Sequence, residues 1–115
     1  MAEACLFCRI ASGEQEAEVV ARGDGWVAFR DINPQAPTHV LLVPRRHVES
    51  VDDLEEEDRD LVADLLVAAR DVARSEGLAT DGYRLVVNTG RKAGQSVSHL
   101  HLHLLGGREM AWPPG

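Results

Sequence analysis

Residues 97–105 read VSHLHLHLL, with His99, His101 and His103 separated by single leucines. Alternation with period two is the pattern of a β-strand with one polar and one apolar face. It predicts a strand over 97–105 that sets three imidazoles on one side and Leu100, Leu102 and Leu104 against a core. Side chains two apart on a strand are separated by about 6.7 Å, so the outer two histidines stand about 13 Å apart. One ion cannot bridge that span, and a metal site made of these three alone is geometrically poor. Three histidines in five residues are also more than a solvated strand face requires. Imidazole titrates near neutral pH, attacks without prior activation and moves protons, so the cluster points to chemistry.

The flanking sequence fits the same picture. Residues 89–96 read TGRKAGQS, a Gly-containing loop whose backbone N–H groups suit a phosphate. A neutral histidine beside such a loop can attack phosphorus, which suggests a phosphate ester, anhydride or amidate as substrate. YRLVVN at 83–88 predicts a strand, and HVLLV at 39–43 predicts another that Pro44 stops. Residues 19–22 and 26–30 pair around Gly23-Asp24-Gly25. Residues 31–38 (DINPQAPT) form a turn-rich connection with two prolines. One long helix is expected over 54–76, where Leu61, Leu65, Ala69, Val72 and Ala73 fall at helical spacing. Asp53 and Glu56 make a capping pair for it, and Gly77 ends it. A short helix over 5–11 is closed by Gly13. Five strands with one long helix between the third and fourth predict an α+β fold on an antiparallel sheet.

The 115 residues suit a single domain over 1–115, and a hydrophobic share of 44% supplies a packed core. The formal charge of −7 is concentrated in residues 52–60 (DDLEEEDRD), seven acids against one arginine. Such a block suits the solvated start of a helix, where carboxylates complement the dipole. No basic stripe is present, so no nucleic-acid partner is expected. No apolar stretch approaches the roughly 20 residues a membrane span needs. The first residues lack the basic and apolar regions of a secretory signal, so a cytoplasmic, reducing location is expected. A Cys5–Cys8 disulfide is then not expected.

Several segments together resemble a known family. They are FRDINPQAPTH (29–39), PRRH (44–47), YRLVVNTG (83–90) and AGQSVSHLHLHLLGGREMAWPPG (93–115). In order and spacing they are similar to the histidine-triad superfamily, and the Trp-Pro-Pro-Gly ending to its histidine-triad nucleotide-binding branch. The resemblance implies a homodimer whose two five-stranded sheets join into one of ten strands. It implies hydrolysis of purine nucleoside phosphoramidates and acyl-adenylates, releasing AMP. His101 would be the nucleophile that carries the nucleotidyl group, supported by His103 and His39. Gln95, Ser96 and Val97 would contact the phosphate, with Asn88 nearby; Ser96 would also reach the leaving nitrogen. Asp31 would take the ribose hydroxyls, Phe29 and Ile32 would line the base pocket, and Trp112 would reach the partner subunit. Arg30, Ala93 and Ser98 depart from residues common in that branch, and Arg30 bears on substrate preference.

Cys5-Leu6-Phe7-Cys8 is half of a zinc site, since two cysteines cannot close a tetrahedron. The alternative is two reduced cysteines packing the first helix. The resemblance supplies His47 and His99 as the other two ligands of a structural Zn2+, leaving His101 for chemistry. Two further functions compete with the hydrolase: a nucleotide-binding module that needs no nucleophile, and a hydrolase with a catalytic zinc.

Overall fold

In the computed structural model, which describes residues 5–115, the apolar run that ends at Pro44 becomes the central strand. In chain order the elements are α1 (Leu6–Ser12), β1 (Val19–Arg22), β2 (Trp26–Arg30), β3 (Thr38–Pro44), α2 (Arg59–Ser75), β4 (Tyr83–Val86) and β5 (Leu102–Gly106). The five strands form one sheet in the order β1-β2-β3-β5-β4, and every neighbouring pair is antiparallel. The expected α+β class with one long and one short helix is what the structure has. Among the described residues, no helix is long and apolar enough to cross a membrane.

β3 is buried along almost its whole length because both faces of the sheet are covered. Val40 and Leu42 join Ala28, Leu102 and Leu104 under the apolar stripe of α2, Leu65, Ala68, Ala69, Val72 and Ala73. The intervening residues Leu41 and Val43 face the other way, with Val27 and Phe29, and meet Phe7, Ile10 and Ala11 of α1. α1 is short and closes at Gly13, whose φ of +88° is the left-handed conformation glycine tolerates. The sheet thus separates a structural layer under α2 from a layer under α1 that carries the histidines.

Three expected elements are shorter than their sequence patterns. α2 begins at Arg59, not at residue 54; single 3-10 turns at Val51–Asp53 and Glu56–Asp58 precede it. The acidic block's side chains compete for the backbone there. Ser50 Oγ accepts from Asp52 N–H at 3.2 Å, and the Asp58 carboxylate accepts from Glu55 N–H at 2.8 Å. The caps are therefore Ser50 and a reciprocal Glu55–Asp58 box rather than an Asp53–Glu56 pair. β4 stops at Val86, two residues before Asn88. The strand expected over 97–105 covers only Leu102–Gly106. Its ladder with β3 ends at Leu42↔Leu102, and upstream of that the backbone bends, with Leu100 N–H donating to Val48 O at 2.6 Å. The apolar alternation nevertheless continues through the bend, and Leu100 is buried with Leu102 and Leu104 in the α2 layer.

Candidate active site

The bend divides the three histidines between two tasks. His99 turns toward α1, while His101 and His103 line an open cavity of about 350 Å³. Phe7, Ile10, Phe29 and Ile32 give that cavity an apolar end, and Asp31, Ser96 and Val97 lie toward its polar end with the histidines. Phe7 packs edge-on against both His101, at 5.1 Å between ring centroids, and Phe29, at 5.5 Å.

The hydrogen-bond partners decide which nitrogen of each ring carries the proton. His101 Nδ1 lies 2.7 Å from the His99 carbonyl, which can only accept. Nδ1 of His101 therefore donates, and its Nε2 keeps the lone pair a nucleophile needs. His39 Nδ1 accepts from the backbone N–H of Gln35 at 3.0 Å. His39 Nε2 lies 3.0 Å from His103 Nδ1 and 3.4 Å from an Asp31 carboxylate oxygen. His39 and His103 are diagonal neighbours across β3 and β5, since His39 pairs with Leu105 and Leu41 with His103. Among the described residues, His103 Nε2 is buried without a hydrogen-bond partner. Burial pushes His103 down to about 4, aided by the neighbouring His101 and His39 rings, which disfavour a further cation, and opposed by Asp31. It lowers His39 as well, against the pull of Asp31.

His99 makes a second site. Its Nε2 donates to the Pro44 carbonyl at 2.9 Å, which leaves the Nδ1 lone pair facing the cysteines. Nδ1 lies 3.3 Å from Cys5 Sγ and 3.5 Å from Cys8 Sγ, and His47 Nδ1 lies 3.3 Å from Cys8 Sγ. Sulfur and nitrogen ligands of a tetrahedral zinc stand about 3.5 Å apart. Two thiols and two imidazoles at this spacing fit that ion, and a carbonyl orienting the ligand ring is its usual outer partner. Burial, with Cys5 alongside, raises the Cys8 thiol to about 11, and a divalent cation's charge is what would lower it. Cys5 caps α1 and Cys8 lies in its first turn, so this cluster sets where Phe7, between them, stands.

The other expected residues divide. Phe29, Asp31, Ile32, Ser96, Val97, His101 and His103 line the cavity. His39 reaches it through His103. Gln95 does not line it: its amide donates to the Glu49 and Val97 carbonyls at 2.6 and 3.0 Å and accepts from Gly90 N–H at 2.8 Å, stapling the loop. Asn88 and Trp112 also lie outside it, and Trp112 is exposed. Arg30 borders the cavity, but its guanidinium turns to Glu76 in a bidentate pair at 2.9 and 3.1 Å. The sequence reading missed Phe7 and Ile10 as cavity walls. Their helical spacing marks them as buried, but not which face of the sheet they cover.

The HIT domain family model matches residues 12–110 of the chain. Among solved structures, the chain is similar to the HIT family hydrolase of Legionella pneumophila, with 52% identity and a TM-score of 0.95, covering 96% of this chain and 99% of that one. It is similar to the histidine triad nucleotide-binding protein of Candida albicans, with 30% identity and a TM-score of 0.82 over 96% of this chain and 83% of the other. A Zn-bound histidine triad family protein of Mycobacterium smegmatis matches with 31% identity and a TM-score of 0.82, over 94% of this chain and 78% of that one.

Proposed function

The chain belongs to the HIT domain family, and from that premise we propose that it hydrolyses purine nucleoside phosphoramidates and acyl-adenylates, releasing AMP. One observation carries this reading. The His101 ring donates Nδ1–H to the His99 carbonyl at 2.7 Å and lines the cavity, so its free lone pair is available to a bound phosphorus.

His101 Nε2 attacks phosphorus, an N–P bond forms, and the bond to the leaving nitrogen breaks with a proton delivered to that amine. Water then attacks the nucleotidyl-histidine and releases AMP. His103 and His39 supply the hydrogen bonds and proton transfer around that step. Phe29 and Ile32 hold the base, Asp31 the ribose hydroxyls, and Ser96 and Val97 the phosphate. Gln95 acts there by shaping the loop, with Asn88 beside it. Cys5, Cys8, His47 and His99 would hold a structural Zn2+, which would supply no chemistry beyond fixing α1. A cytoplasmic homodimer completes the proposal, with Trp112 extending toward the partner subunit. The exposed β4 edge and the apolar surface of Val51, Val62, Leu66 and Val87 beside it support a second copy docking there.

The test is steady-state hydrolysis of an adenosine 5′-phosphoramidate carrying a fluorescent amine, for wild type and His101→Ala. Turnover that falls by about 10³-fold or more in the variant is expected for loss of a nucleophile. Wild type quenched in alkaline denaturant, where the acid-labile P–N bond survives, would carry one nucleotidyl group on His101 by mass spectrometry. Equal rates in both proteins would remove His101 from the chemistry. No turnover in either, with AMP still bound, would make the protein a binding module.

A further inference from the structure

The connection between β2 and β3 folds into a cage around His39. Asp31 N–H donates to the His39 carbonyl at 3.0 Å, and Asn33 N–H to the Asp31 carboxylate at 2.8 Å. Inside this turn the Gln35 backbone is held by the peptide groups on both sides of its Cα. Its N–H points at His39 Nδ1 at 3.0 Å, and its carbonyl accepts from Arg108 Nε at 3.0 Å. Arg108 lies just beyond β5, and its Nη1 also donates to the Glu109 carbonyl.

We propose that the backbone N–H of Gln35, steadied by Arg108, fixes the tautomer of His39 and through it the tautomer of His103. The inference rests on the site being a nucleotidyl-transferring one and adds a positioning device to it. A backbone N–H can only donate, so His39 Nδ1 must be the lone-pair nitrogen. The ring proton is then on Nε2, where two acceptors wait: His103 Nδ1 at 3.0 Å and the Asp31 carboxylate at 3.4 Å. With Nδ1 of His103 accepting, its own proton lies on Nε2, the buried nitrogen that no group among the described residues satisfies. An unsatisfied buried N–H is costly unless something arrives to use it. His103 lines the cavity with its ring centroid 5.0 Å from that of His101, so a phosphoryl oxygen or a leaving nitrogen there would use it. The same tautomer would disfavour a cation among Asp31, His39 and His103, although they lie close enough to surround one. The lone pair such an ion would need at His39 Nε2 is occupied by the proton.

Direct detection of N–H···N hydrogen bonds by scalar coupling in the uniformly 15N-labelled full chain tests this without nucleotide. We expect couplings from the Gln35 amide to His39 Nδ1 and from His39 Nε2–H to His103 Nδ1. An Nδ1-bound proton on His39, or a bond running from His103 Nδ1–H to His39, would overturn the proposal. Gln35→Ala keeps the backbone N–H and should preserve both ring patterns, whereas Gln35→Pro deletes it and should mix the His39 and His103 tautomers. A Gln35→Pro protein that folds with wild-type ring patterns would overturn it; one that fails to fold leaves the wild-type couplings to decide. Intact couplings in a protein that hydrolyses no phosphoramidate would support the relay and count against the proposed substrate.

Discussion

His103 carries a consequence for pH that its proposed role in proton transfer does not require. Its folded value lies near 4, well below the 6.5 of a free imidazole, because burial disfavours the cation. The unfolded chain therefore takes up a proton between about 6.5 and 4 that the folded chain refuses. Stability from this source is fully present above pH 6.5 and is lost as the pH falls toward 4. His39, also lowered by burial, adds the same sign. We predict that Tm falls on acidification through this window and that His103→Asn flattens the slope; a slope as steep as wild type would refute the assignment. Arg30 gives the opposite lesson about position. As a neighbour of Phe29 and Asp31 it suggested an influence on the nucleoside, yet its side chain alternates to the other face and clamps Glu76 at the end of α2. Arg30→Met should cost about 1–3 kcal/mol in urea denaturation by stranding a half-buried carboxylate, with a much smaller effect on KM than on stability. The identity of the chemical residues was legible in the sequence because His, Cys and Asp are chemically distinctive. The partners that fix their protons were not, because a carbonyl of His99 or Pro44 and an N–H of Gln35 look the same in every sequence.

At the scale of elements, periodicity was readable and boundaries were not. The leucines of 100–104 alternate through strand and bend alike, so the pattern reported which face each residue takes, not where hydrogen bonding stops. The acidic run before α2 hid two 3-10 turns because acidic side chains favour a helix start and also compete for its backbone. α1 is the element whose role was least visible. It spans seven residues and carries a cysteine at its N-cap and another inside. We predict that Cys8→Ser lowers zinc affinity by more than about 100-fold, the upper range for losing even an outer-shell partner. Elemental analysis would read the metal. Because α1 carries Phe7, KM for the nucleotide should rise in the same variant while the rate at saturation changes little. Abrupt loss of turnover on chelation, with α1 still in place, would instead favour a catalytic ion.

At the scale of the whole molecule, the strand count and class followed from the sequence, but the order β1-β2-β3-β5-β4 did not. Placing β5 beside β3 is what brings His103 to His39, a contact across 64 positions of the chain. The open edge at β4 and the exposed Leu66 and Val87 are what the proposed dimer would cover. An unprotected edge strand beside an apolar patch is a liability unless a partner covers it. Leu66→Glu should convert a dimer into monomers by sedimentation equilibrium, with Trp112 losing whatever function it has across the interface. A wild-type monomer at micromolar concentration would remove the dimer from the proposal.

A helix as brief as α1 cannot sustain itself in water, so the wall it gives the cavity is lent by its surroundings. Where zinc is scarce, the same polypeptide would keep its nucleophile and proton relay but present a looser doorway. Metal supply would then act as a dial on how discriminating the proposed site is, without touching His39, His101 and His103.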